Sequence, residues 1–164
     1  NGPIQPRTGP TVLRTITLIL PACFLSFCGN AVDDRFASPY DTFKTRQKAL
    51  ADRDLDLLWS CYSQSYKTGV YEGDEKSWKE EWHSREDREF QRELAREIAD
   101  ERIINARLGY LLFDASTVAD PSVSPFLYFL REPEGWKMTT FLDSVFHAEL
   151  EQAIEQGEFK LPRE

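Results

Sequence analysis

Beyond residue 37 the apolar residues first return every three or four positions and later every two, so helical periods give way to strand periods partway along the chain. Ser38-Pro39-Tyr40-Asp41 reads as a helix start, with Ser as N-cap, Pro at the first helical position and an acid in the first turn. Tyr40, Phe43, Gln47 and Leu50 then keep a mostly apolar face. The link Ala51-Asp52-Arg53-Asp54 leads to a second helix with Leu55, Leu58, Trp59 and Tyr62 on one side, so the two form a compact pair. From Asp74 to Arg102, 18 of 29 residues are charged, a density that predicts solvated helix faces. Trp78 and Trp82 mark the inner side of a helix over roughly 74–83. Phe90, Leu94 and Ile98 do so for a second one over 85–101, for which Ser84 and Asp87 supply a capping pattern. Along this second helix Glu89, Glu93 and Glu97 form one stripe, and Arg88, Arg92 and Arg96 another. The pairs Glu89–Arg92 and Glu93–Arg96 offset the like-charge repulsion by about 0.2–0.5 kcal/mol each.

From Ile103 the strand period takes over. Ile103–Ser116 is predicted as a strand with a bulge at Gly109, and Asp120-Pro121-Ser122 as a turn. Pro125–Arg131, the turn Glu132-Pro133-Glu134-Gly135 and Trp136–Leu142 form an antiparallel hairpin. A last helix over Ser144–Gln156 ends at Gly157. The fold class is therefore α+β, with N-terminal helices followed by an antiparallel sheet and an additional C-terminal helix.

A chain of 164 residues has room for one ordinary domain. Its net charge of −8 is unevenly placed: residues 1–32 hold Arg7 and Arg14 and no acid, leaving −10 on residues 33–164. The uncharged stretch Thr15–Phe27 follows these arginines and has the length and composition of a signal-peptide h-region. It falls short of the roughly 20 residues of a membrane span, and Pro21 would interrupt a helix there. Export is favoured over the alternative of a buried core helix, because the segment has no amphipathic period. The expected organisation is an export segment over 1–27, a polar tether over 28–37, one domain over 38–157 and a tail over 158–164.

The acidic total argues against a nucleic-acid binder, whose footprint would be basic. Three cysteines make no disulfide framework, and no Cys/His cluster has zinc spacing. His83 and Glu86 lie three apart without a second such pair, so surface charge is the expected reading and no metal or other cofactor is called for. His147, after Phe146 in the last helix, is expected to pack or cap. Cys61 is expected to be a buried small hydrophobe. The chain carries no Gly-rich phosphate loop and no Gly-x-Ser-x-Gly elbow.

Leu25-Ser26-Phe27-Cys28 resembles a bacterial lipoprotein lipobox, which makes Cys28 the lipidation candidate, although Phe27 stands where a small residue is usual. Leu20-Pro21-Ala22-Cys23 offers Cys23 as the alternative, but it would leave Phe24–Phe27 just after the lipid, whereas a polar run from Gly29 follows Cys28. Cleavage by ordinary signal peptidase after Ala31 is a third route. The lipobox resemblance implies a membrane partner through a lipid anchor. Gly29 rather than Asp after Cys28 implies the outer membrane in a Gram-negative cell.

The helix around Tyr40–Leu50, the Ala-Asp-Arg-Asp-Leu turn into Leu57-Leu58-Trp59, the middle helix and the hairpin Tyr128–Met138 together resemble the nuclear-transport-factor-two-like superfamily, in particular its bacterial lipoprotein members. The resemblance covers roughly residues 38–143. It implies a curved sheet wrapped on a long helix, forming a cone that holds a ligand, and a homodimer through the exposed sheet face. Enzymes of the superfamily place an Asp or a His–Asp pair inside the cone. Asp114, in the strand Leu111-Leu112-Phe113-Asp114-Ala115, is the candidate for a buried base with a raised pKa, against the alternative of a strand-end Asp. Trp59, Tyr110, Tyr128 and Trp136 are the candidate pocket residues, although the tryptophans also fit core positions. Two functions compete on this reading. One is an envelope-anchored binding module for a partner protein or a small apolar ligand, and the other an isomerase, dehydratase or cyclase acting in the cone.

Overall fold

The computed structural model describes residues 32–118 and 123–160 together with Gly2. The export segment, Cys23, Cys28, Ala31 and the turn Asp120-Pro121-Ser122 lie outside the described residues. Five helices come first: α1 (Pro39–Asp52), α2 (Leu55–Ser60), α3 (Gln64–Tyr71), α4 (Glu75–Ser84) and α5 (Asp87–Leu94). Strands β1 (Ile98–Ile103), β2 (Leu108–Phe113), β3 (Phe126–Glu132) and β4 (Gly135–Thr139) follow, and α6 (Ser144–Glu155) closes the described chain. The sheet is a curved antiparallel meander in the order β1-β2-β3-β4. The α+β expectation of helices, then sheet, then helix holds. Among the described residues no helix is long and apolar enough to cross a membrane.

Local chemistry sets most boundaries. Ser38, Asp54, Ser63, Asp74 and Asp143 each accept a backbone N–H at the start of a helix. Helix α5 has no side-chain cap and starts at Asp87 after Glu86, rather than from Ser84. It also stops well before residue 101. The Gln47 side-chain amide donates to the carbonyls of Leu94 and Arg96 at 3.4 and 3.3 Å, taking over acceptors that a longer helix would have used internally. Ile98–Ile103 then pairs with β2, with a bulge between Ile98 and Asp100.

The segment 103–116, expected as one strand, contains a hairpin turn. The Asn105 side chain accepts from the amides of Arg107 and Leu108 at 2.8 and 2.9 Å and turns the chain there. Gly109 sits in regular register opposite Ile103 and Phe129, not in a bulge. A Cβ there would lie 3.1 Å from the Arg102 carbonyl oxygen and 3.3 Å from the Trp136 ring, so the glycine allows Trp136 to lie close against β2. Strand β4 ends at Thr139, leaving Phe141 and Leu142 exposed in the turn before α6. The domain also begins before residue 38, because Phe36 is buried in the core. Phe159 packs on the α6 cluster, so the ordered domain runs past residue 157 as well.

Strand alternation divides the sheet between two cores. Leu111, Phe113, Phe129, Trp136 and Met138 meet Phe43 of α1, along with Phe36 and Cys61. Leu108 and Leu130 point the other way and meet Phe146, Leu150 and Ala153 of α6. A third cluster joins α1, α2, α4 and α5 around Trp78 and Trp82. A short parallel bridge between Tyr62 and Met138 ties the helical layer to the edge strand, with Met138 N–H donating to Cys61 and Ser63 N–H to Met138.

Candidate functional site

The candidate pocket residues separate in the structure. Tyr110 and Tyr128 are cross-strand partners on the α6 face of the sheet. Trp59 is half-buried in the helical cluster against Trp78 and Tyr71. Trp136 is buried on the opposite sheet face. The face turned to α1, where the resemblance implies a ligand cone, is filled by Phe43, Leu111, Phe113, Phe129, Trp136 and Met138. Phe126 and Tyr128 point away from it.

Those two side chains build an open aromatic groove instead. The Phe126 ring lies 5.5 Å from Tyr110 edge-on and 6.1 Å from Tyr128, near-parallel to it. Tyr128 contacts Phe141 at 5.6 Å and Phe146 at 5.1 Å, centroid to centroid. With Ile104, Leu150 and Phe159 these rings enclose about 240 Å3 between the sheet and α6. Among the described residues no lining side chain carries a charge, and their only polar side-chain atoms are the two tyrosine hydroxyls. A second opening of about 490 Å3 shares Ile104, Tyr110, Phe126 and Phe159 and adds a charged edge of Asp100, Arg102 and Glu158. Phe126 and Phe141 remain 38% and 44% exposed, more apolar surface than a closed core would leave.

The groove exists because α6 covers only part of the sheet. Phe146, Leu150 and Ala153, at steps of three and four, seat the helix over Leu108 and Leu130 and leave Tyr110 and Phe126 uncovered beside it. Asp143 positions the helix. Its carboxylate accepts from the amides of Val145 and Phe146 at 2.9 and 3.3 Å, from Ser65 at 2.6 Å and from Thr139, linking α6 to α3 and β4. Burial pushes this carboxyl up, but the hydrogen bonds from Ser65, Thr139 and the two amides outweigh it and hold the pKa below the ordinary aspartate value. A folded pKa below the unfolded one gives a contribution that is full above about pH 4 and fades as pH falls through the lowered value. Asp143→Asn is expected to cost about 1–2 kcal/mol at pH 7 and less at pH 3, read by urea unfolding at both pH values. An equal loss at both would mean that the charge of Asp143 contributes nothing.

Asp114 is exposed and caps the 3-10 turn Ala115–Thr117, and hydrogen bonds from the Ser116 hydroxyl and amide hold its pKa below the ordinary value. The expected buried base with a raised pKa is thus absent at this position: a strand end facing water gives the carboxylate donors and no apolar wall. His83 is exposed on α4. His147 lies at the groove edge, 5.3 Å from the Phe141 ring and 3.4 Å from the Glu151 carboxylate. Cys61 is buried, its thiol pushed up to about 12 by burial, as a structural cysteine would be. Among the described residues no cluster of His, Cys, Asp and Glu has the makings of a metal site.

The sequence reading missed Phe126, Phe141, Phe146 and Phe159 as groove residues. The available signal was that β2 and β3 are apolar at both parities, so each needs a cover on both faces, and only one short helix remains for the second. Comparison with protein-family models, with curated proteins and with solved structures finds no match to this chain.

Proposed function

We propose that this protein is an exported binding module whose aromatic groove between the sheet and α6 takes a small neutral apolar ligand. The observation that carries the reading is the groove itself, a ring-lined space of about 240 Å3 with no charged lining side chain among the described residues. A charged ligand would be desolvated there without a counter-ion, whereas an aromatic or alkyl body replaces water at no such cost. The volume suits a small molecule rather than an inserted helix. In the same proposal the chain is anchored to the cell envelope through lipidated Cys28, with the apolar segment before it as the export signal. It is a member of the nuclear-transport-factor-two-like superfamily that binds on the α6 face of its sheet rather than inside the cone.

The full chain is expected to bind the neutral dye N-phenyl-1-naphthylamine with a saturable rise in fluorescence. Phe126→Asp and Tyr128→Ala should each weaken binding at least tenfold, about 1.4 kcal/mol. Binding that is unchanged in both variants would place the dye elsewhere and refute the groove as the site. A flat titration together with self-association lost in Phe126→Asp would assign the groove to a protein partner instead.

A further inference from the structure

The rings of the aromatic groove do more than exclude charge. Among the described residues six rings wall it, from Tyr110, Phe126, Tyr128, Phe141, Phe146 and Phe159, against two aliphatic side chains, Ile104 and Leu150. They stand at mixed angles and so present both faces and edges. The Tyr110 and Phe126 planes meet at 83°, those of Phe126 and Tyr128 at 26°, and those of Tyr128 and Phe146 at 55°. The face of a ring is the negative part of its quadrupole and the edge the positive part. A flat aromatic body can therefore meet both, whereas a saturated body of the same size meets them by dispersion alone. Each favourable ring pair multiplies affinity roughly two- to tenfold beyond the area it covers.

Size and polarity narrow the ligand further. A dry cavity of roughly 150 Å3 takes a single benzene. A space of about 240 Å3 has room for two fused rings but not for a four-ring sterol. Tyr110 lines both this space and the neighbouring opening of about 490 Å3. Its phenol brings a donor and an acceptor to a wall that is otherwise almost wholly apolar.

On the reading that the groove is the ligand site, we infer that its ligand is a neutral, fused two-ring aromatic carrying one hydroxyl. The rings occupy the 240 Å3 space, and the hydroxyl bonds to Tyr110 where the second opening begins. A phenolic hydroxyl is uncharged at pH 7, so it enters without needing a counter-ion.

Equilibrium dialysis of the full chain against 2-naphthol, naphthalene and decahydro-2-naphthol, the saturated form of the first, tests this. 2-Naphthol is expected to bind one to one and at least fivefold more tightly than decahydro-2-naphthol. Tyr110→Phe should weaken 2-naphthol about fivefold, the usual weight of one hydrogen bond, and leave naphthalene unchanged. Phe126→Leu keeps an apolar side chain but removes a ring, and should cut the preference for 2-naphthol over its saturated form at least twofold. N-Phenyl-1-naphthylamine, measured in parallel, separates the ligand class from the groove itself. Dye binding with a preference under fivefold would overturn the aromatic class and leave the groove standing as an apolar site. No binding of dye or 2-naphthol would overturn both. An equal effect of Tyr110→Phe on 2-naphthol and naphthalene would overturn the hydroxyl contact, and an undiminished preference in Phe126→Leu would overturn the groove rings as its source.

Discussion

Gly135→Ala is expected to lower the free energy of unfolding by about 3–5 kcal/mol, combining the usual costs of core overpacking and of backbone strain. Gly135 opens β4 at a φ of 127°, in the region that side chains avoid. A Cβ at this position would lie 2.6 Å from the Phe36 Cβ and 3.0 Å from its carbonyl carbon. The obstruction is backbone and the root of a side chain, neither of which can swing away. Phe36 is itself fixed, buried in the cluster that α1 makes with the sheet, and the Lys137 ammonium lies 3.2 Å from its ring centroid. The substitution must therefore shift either the hairpin or the segment leading into α1. Urea unfolding followed by far-UV circular dichroism reads the loss, and a change under 1 kcal/mol would mean that Phe36 does not pack against this turn.

Glu93→Gln is expected to cost about 3–5 kcal/mol, the usual loss when one partner of a buried ion pair is removed. The side chains of Arg46, Arg96 and Glu93 are only 6%, 17% and 18% exposed, so water cannot replace the carboxylate freely. Glutamine keeps the shape and one acceptor but removes the charge that balances two guanidiniums. The same unfolding experiment reads the effect. A cost below 1 kcal/mol would show that the cluster is hydrated.

Several elements were legible because their information is local. Ser38-Pro39 starts α1, the run Glu132–Gly135 turns β3 into β4, and the spacing of Phe146 and Leu150 gives α6 its inner face. Others depended on partners distant in sequence. Ile98–Ile103 has charges that suit a helix as well as a strand, and it is a strand because β2 pairs with it and Gln47 occupies the helix-ending carbonyls. Phe36 lies in a stretch that reads as a tether, and only its packing with Phe43 and the sheet residues, distant in sequence, makes it core. Asp114 carried the pattern of a buried strand residue until the chain turned to solvent directly after Phe113.

By itself, then, the sequence determined the α+β order, the turn between β3 and β4 and the uneven charge, since periodicity, capping and composition act within a few residues. Tertiary structure alone decided which faces were filled and which stayed open. The position of α6 over Leu108 and Leu130 leaves the rings of Tyr110 and Phe126 uncovered. The meeting of α1 with α5 places two guanidiniums on one carboxylate. Both outcomes depend on how much of a neighbour each element covers, a quantity set by packing between segments that local periods do not contain.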